Sequence, residues 1–131
     1  MNKVTRNQLS VIKNPYQGKD RRVLTVCSGG VLRSPTAATM MTTLFGYNTR
    51  SCGTEDYALI PLTPALILWA QEIVCAEQHH ANVVMDAINN HYDLEDARPL
   101  VYVLGIQDDY DYMDGELQQL IHSKFDEWGF K

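Results

Sequence analysis

A chain of 131 residues fits one domain, and 45% hydrophobic with 21% charged residues is an ordinary globular composition that excludes a disordered chain. No apolar run approaches the roughly 18 residues of a membrane span, and no apolar stretch follows the basic start as a secretory signal would require. The net charge of −5 hides an asymmetry: Lys3, Arg6, Lys13, Lys19, Arg21 and Arg22 stand near the start against the one acid Asp20, and the remainder is strongly acidic. An acidic body argues against a nucleic-acid-binding domain, because phosphate-backbone affinity comes from clustered Lys and Arg.

Residues 1–21 read as a basic extension with turn signals at Asn14-Pro15 and Gly18, and residues 22–131 as the folded domain. The β-branched run Arg22 to Cys27 predicts a buried strand that ends in Ser28-Gly29-Gly30. A helix is expected from Ser34-Pro35 to Phe45, with Ser34 as the N-cap, Pro35 at the first helical position and Gly46 as the stop. Tyr47 to Cys52 predicts a second strand, Thr63-Pro64 opens a helix through Ala70, and Glu72 to Ala76 is a third strand. His79 to Asn90 follows as a helix, then Pro99 to Leu104 as the fourth strand, closed by Gly105. After an acidic loop, Gly115 to Trp128 predicts an amphipathic helix with Leu117, Leu120, Ile121 and Phe125 on one face. Strands alternating with helices predict βαβ units and a parallel sheet covered on both faces, whose functional groups gather at the carboxyl ends of strands.

Cys27 and the acidic loop both fall at such ends. Three cysteines at positions 27, 52 and 75 make neither a disulfide framework nor a zinc site, and a reducing, cytoplasmic setting is expected. The informative segment is Cys27-Ser28-Gly29-Gly30-Val31-Leu32-Arg33-Ser34. Two glycines let its backbone curl into an anion-binding nest, and the next helix points its N-terminus there. Arg33 is suited to a planar, two-point grip on phosphate oxygens. The same field favours the Cys27 thiolate, and Ser34 can donate a hydrogen bond to that sulfur.

Val26 to Ala37 resembles the active-site loop of the low-molecular-weight protein tyrosine phosphatases. The similarity runs on in order. Arg50-Ser51-Cys52-Gly53-Thr54 resembles the family's S-A-G-T element, and Trp69 to His79 its helix–strand–helix stretch. Asp108-Asp109-Tyr110 resembles its D-P-Y general-acid loop, and Asp108 to Asp114 is closer still to a compact bacterial branch with D-[DE]-Y-x-[FY]-M-D. The resemblance implies a three-layer αβα sandwich with a four-stranded parallel sheet in flavodoxin-like order. It also implies phosphomonoester hydrolysis through a cysteinyl-phosphate, with no cofactor or metal and a phosphotyrosine protein or other aryl phosphate as substrate.

Carried over residue by residue, Cys27 is the nucleophile, residues Ser28, Gly29, Gly30, Val31, Leu32, Arg33 and Ser34 bind phosphate, and Asp108 is the general acid, with Asp109 as the alternative register. Tyr57, Tyr110 and Tyr112 are expected to wall the pocket around a phenyl ring. Gly30 stands where the family usually has Asn, Leu32 where many members have a second cysteine, Asp109 at the proline of D-P-Y, and Cys52 at the alanine of S-A-G-T. Cys52 is therefore either a buried apolar residue or a resolving partner for oxidised Cys27. His79 and His80, adjacent on a helix, are expected at its surface and not as a metal pair. A phosphate-binding module with weak or lost catalysis is the alternative from another class. Arsenate reductase would need two further cysteines close together, and the phosphocysteine sugar-transport components lack an arginine placed like Arg33.

Overall fold

The computed structural model describes residues 21–30, 32–91 and 98–131. In chain order these form β1 (Arg22–Cys27), α1 (Arg33–Phe45), β2 (Asn48–Gly53), α2 (Pro64–Trp69), β3 (Glu72–Cys75), α3 (Gln78–His91), β4 (Leu100–Val103) and α4 (Gly115–Trp128). The four strands pair in the order β2-β1-β3-β4, all parallel. That is the flavodoxin-like order, whose crevice opens where the order reverses, at the carboxyl end of β1.

Alternation along the strands sorts the core into two layers. Val23 and Val74 face Ala37, Met40, Met41, Leu117, Ile121 and Phe125, which α1 and α4 bring to one side. Leu24, Val26, Ile73 and Cys75 face Leu66, Ile67, Val84 and Ile88 from α2 and α3 on the other. The expected three-layer sandwich is present. One position of the amphipathic stripe is corrected: Leu120 is 40% exposed, because Leu117, Ile121 and Phe125, spaced four apart, already fill the seam against the sheet.

The amino-terminal edge of the sheet is closed by aromatic packing. Arg21 pairs with Glu72, donates to Tyr47 Oη at 2.8 Å, and lies over the Tyr47 and Phe130 rings. Arg21, which the sequence reading places in the extension, therefore packs against the folded domain. Residues 1–20 of the basic extension lie outside the described residues. Among the described residues no helix is long and apolar enough to cross a membrane.

Candidate active site

The loop between β1 and α1 is shaped by what surrounds it. Gly30 sits at φ +71°, a left-handed conformation that side chains rarely adopt, and its amide donates to Cys27 Sγ at 3.2 Å. Glycine at the family's Asn position therefore supplies the backbone shape directly. Three backbone bonds tie the loop to the segment after β2: Thr54 N–H to Cys27 O at 2.9 Å, Glu55 N–H to Ser28 O at 3.1 Å and Leu59 N–H to Gly29 O at 3.2 Å.

These bonds require close approach at Gly53, where a Cβ would meet Ser28 O at 2.3 Å and Gly29 C at 2.8 Å. Both are backbone atoms that cannot swing aside. Gly53→Ala should push the loop off Thr54–Leu59, cost about 1–3 kcal/mol of stability and lower activity at least tenfold. Thermal unfolding read alongside steady-state turnover checks this, and wild-type values on both would remove Gly53 from the argument.

The helix start departs from the sequence reading. α1 begins at Arg33, its N-cap is Leu32, and that cap has no side-chain bond. Ser34 lies inside the first turn, where its hydroxyl stands 3.1 Å from Cys27 Sγ and donates to Cys52 O at 3.3 Å. When the thiol ionises, that hydroxyl can turn its proton to the sulfur. Ser34 is therefore spent on the thiol and not on a helix cap.

Arg33 is 2% exposed, among the most deeply buried large side chains. One end is fixed: Nη1 donates to Glu77 Oε2 at 2.6 Å and to the Ile106 carbonyl at 2.8 Å. The other end is open. Nε is buried without a hydrogen-bond acceptor, and Asp108 Oδ1 lies 3.6 Å from it. A buried donor left without a hydrogen bond is costly, and an anion bound in the cleft would offset that cost. Glu77, at the carboxyl end of β3, has its carboxyl held below the usual range, chiefly by the Arg33 hydrogen bond.

Cys27, Gly29, Leu32, Arg33, Tyr57 and Asp108 line a cleft of about 230 Å³. Asp108 is the acid that shares this cleft with the thiol. Asp109 lines a separate groove with Tyr110 and Lys124. Of the three predicted wall tyrosines only Tyr57 reaches the cleft. Tyr110 packs on the core, and Tyr112 Oη bonds Thr39 Oγ1 at 3.0 Å on α1. The cause is local: Met113 turns through a left-handed φ of 58° and its amide donates to Thr36 Oγ1 at 2.9 Å, drawing Tyr112 onto the helix. Val31 lies outside the described residues. A larger groove of about 490 Å³ between α1 and α4 contains none of the predicted site residues.

His80 is a further correction. It is fully buried, not on the helix surface: Glu77 N–H donates to its Nδ1 at 3.0 Å, and its Nε2 meets Ser28 Oγ at 2.9 Å. Burial, then the charges of His79 and Arg33, push its pKa down to about 4, so the ring is neutral at pH 7. Donor atoms of Glu77, His79 and His80 lie within 4.8 Å of one another, but Glu77 is spent on Arg33 and both His80 nitrogens are engaged.

The register also turns Cys52 away from Cys27. Cys52 pairs with Val26 and Cys27 with Gly53, so the two thiols point to opposite faces of the sheet. Cys52 belongs to the core beside α2 and α3, where burial raises its pKa well above that of a free thiol. The apolar reading of Cys52 agrees with this placement, and the resolving disulfide does not.

No protein-family model matches the chain, and no curated protein does. Solved structures do. It is similar to the low-molecular-weight protein tyrosine phosphatase SP-PTP of Streptococcus pyogenes at 16% identity, TM-score 0.65, over 82% of this chain and 90% of that one. Wzb of Vibrio vulnificus, solved with benzylphosphonate, aligns at 20% identity and TM-score 0.62 over 83% and 97%. The YwlE arginine phosphatase of Geobacillus stearothermophilus aligns at 19% and 0.54 over 83% and 93%. Sheet order, loop position and these alignments agree that the chain has the fold of the low-molecular-weight protein tyrosine phosphatases.

Proposed function

We propose that the protein hydrolyses phosphomonoesters through a cysteinyl-phosphate, with phosphotyrosine in proteins as its substrate class. The observation that carries this reading is the buried Nε of Arg33, which has no hydrogen-bond acceptor, in the same cleft as a cysteine whose sulfur already accepts an amide hydrogen bond. The Cys27 thiolate attacks phosphorus, the ester P–O bond breaks, and protonated Asp108 gives its proton to the leaving oxygen. Water then attacks phosphorus, Asp108 takes its proton, and the S–P bond breaks to release phosphate and the thiolate. Charge on the equatorial oxygens meets Arg33 and the loop amides, donors already fixed before reaction.

Tyr57, 75% exposed at the mouth of the cleft, suits an aryl group stacked on its ring. Relatives of this fold include both tyrosine and arginine phosphatases, so the substrate test pairs a phosphotyrosine peptide with a phosphoarginine peptide. The chemistry needs Cys27 reduced, which fits a reducing compartment such as the cytoplasm.

The mechanism is tested through the leaving group. Asp108→Asn should slow phenyl phosphate at least tenfold more than p-nitrophenyl phosphate, since protonation matters most when the leaving oxygen is basic. Asp109→Asn should show no such dependence, because its side chain lies in the other groove. If Asp109→Asn carried the dependence, Asp108 would lose its assignment.

A further inference from the structure

We propose that His80 is a positioning residue of the phosphate loop: its imidazole holds Ser28 at the loop's start while Glu77, on the same turn, holds Arg33 at its end. The inference rests on the reading of that loop as a phosphate site. Its geometry is a closed circuit: the Glu77 carboxylate takes Arg33 Nη1 at 2.6 Å, and the Glu77 amide donates to His80 Nδ1 at 3.0 Å. The far ring nitrogen lies 2.9 Å from Ser28 Oγ. An Nδ1 that accepts a hydrogen bond carries no proton, so the proton of the neutral ring is on Nε2 and is donated to Ser28. The charged groups around the ring, His79, Arg33, Glu77 and Asp108, sum with burial to keep it neutral, so this tautomer persists at pH 7.

The loop needs such a tie on this flank. On the β2 side, three backbone bonds secure Cys27, Ser28 and Gly29. On the β3 side Gly30 contributes no side chain, and among the described residues the Glu77–His80 turn holds Ser28 and Arg33 through two hydrogen bonds. His80 is 0% exposed, so its polar edge is enclosed and has been matched to one partner at each nitrogen. A residue serving only to cap the helix would need Nδ1 alone. The Nε2 contact to a residue 52 positions earlier has its consequence in the loop.

Inorganic phosphate is the probe. It should protect Cys27 from iodoacetamide, read by mass spectrometry at the Cys27 peptide, with p-nitrophenyl phosphate turnover measured in parallel. His80→Ala and Ser28→Ala should each raise the half-protecting phosphate concentration about tenfold, and the double variant should be no worse than either single one. His80→Gln, whose amide still donates, should keep most of the protection. Wild-type protection in a folded His80→Ala, or losses that multiply in the double variant, would overturn the proposal. If His80→Ala does not fold, Ser28→Ala and Ser28→Ala/His80→Gln decide by the same two criteria. Phosphate protection without wild-type turnover would reject the hydrolase reading and leave the His80 comparison intact. No protection of the wild type at any phosphate concentration would reject both.

Discussion

Cys27→Ser should abolish p-nitrophenyl phosphate turnover, by about 10⁴-fold or more, while inorganic phosphate still binds within a few-fold of wild type. The two halves of this expectation come from different atoms. Binding relies on Arg33, the loop amides and the α1 N-terminus, none of which the substitution removes. Turnover, in the proposed mechanism, relies on sulfur as the nucleophile. Among the described residues, the polar contacts of Cys27 Sγ are the Gly30 amide at 3.2 Å and the Ser34 hydroxyl at 3.1 Å, which stabilise an anion but do not remove a proton. A serine hydroxyl in the same place would need a general base. The nearby histidine is not one, because the proton on its Nε2 is already donated to Ser28 and its Nδ1 accepts the Glu77 amide. Single-turnover assays and phosphate titration of the same preparation measure both halves. Retained turnover would end the covalent mechanism, and lost phosphate binding with retained folding would mean that the sulfur itself carries the anion site.

What the sequence made legible was what is local along the chain. Cys27, the glycines and Arg33 lie within one strand–loop–helix unit, and their spacing alone put the thiol at a strand end and the guanidinium at a helix start. The layers followed for the same reason, since alternation in β1 and β3 and the spacing of Leu117, Ile121 and Phe125 fix which faces are apolar. Ser34 was misplaced because Ser-Pro reads identically whether the serine caps the helix or lies in its first turn, and only the position of the sulfur decides between them.

His80 is a different case. Its spacing of four and eight residues from Val84 and Ile88 puts it on the buried face of α3, but its partner Ser28 lies 52 residues earlier and is not legible from that spacing. Tyr112 was misassigned because a single left-handed residue, Met113, redirects the loop toward α1. Gly53 lay within the S-A-G-T resemblance, but its purpose, room for the Ser28 carbonyl, depends on how closely two loops pack.

Arg33→Lys should lower kcat/KM by about 10³-fold, roughly 4 kcal/mol of transition-state stabilisation, with a large part of the loss in kcat. Charge is conserved in this change, so the loss measures geometry. The guanidinium has two distinct ends: Nη1 is fixed by Glu77 and the Ile106 carbonyl, while Nε has no hydrogen bond and lies 3.6 Å from Asp108 Oδ1. An ammonium at the end of a flexible stem can satisfy Glu77 or reach a phosphoryl group, but it cannot hold one while presenting a second donor to the other. Glu77 makes the choice one-sided, since its carboxylate is anionic and its pKa already lowered by its cationic partner. The lysine should therefore settle on Glu77, leave the phosphate without its planar donor pair, and weaken binding of inorganic phosphate as well. Removing the competitor gives the decisive comparison. Glu77→Gln added to Arg33→Lys should recover part of the phosphate affinity by freeing the ammonium, whereas Glu77→Gln alone should weaken wild type by loosening Arg33. A double variant no better than Arg33→Lys, at equal thermal stability, would show that Glu77 does not hold the arginine for catalysis.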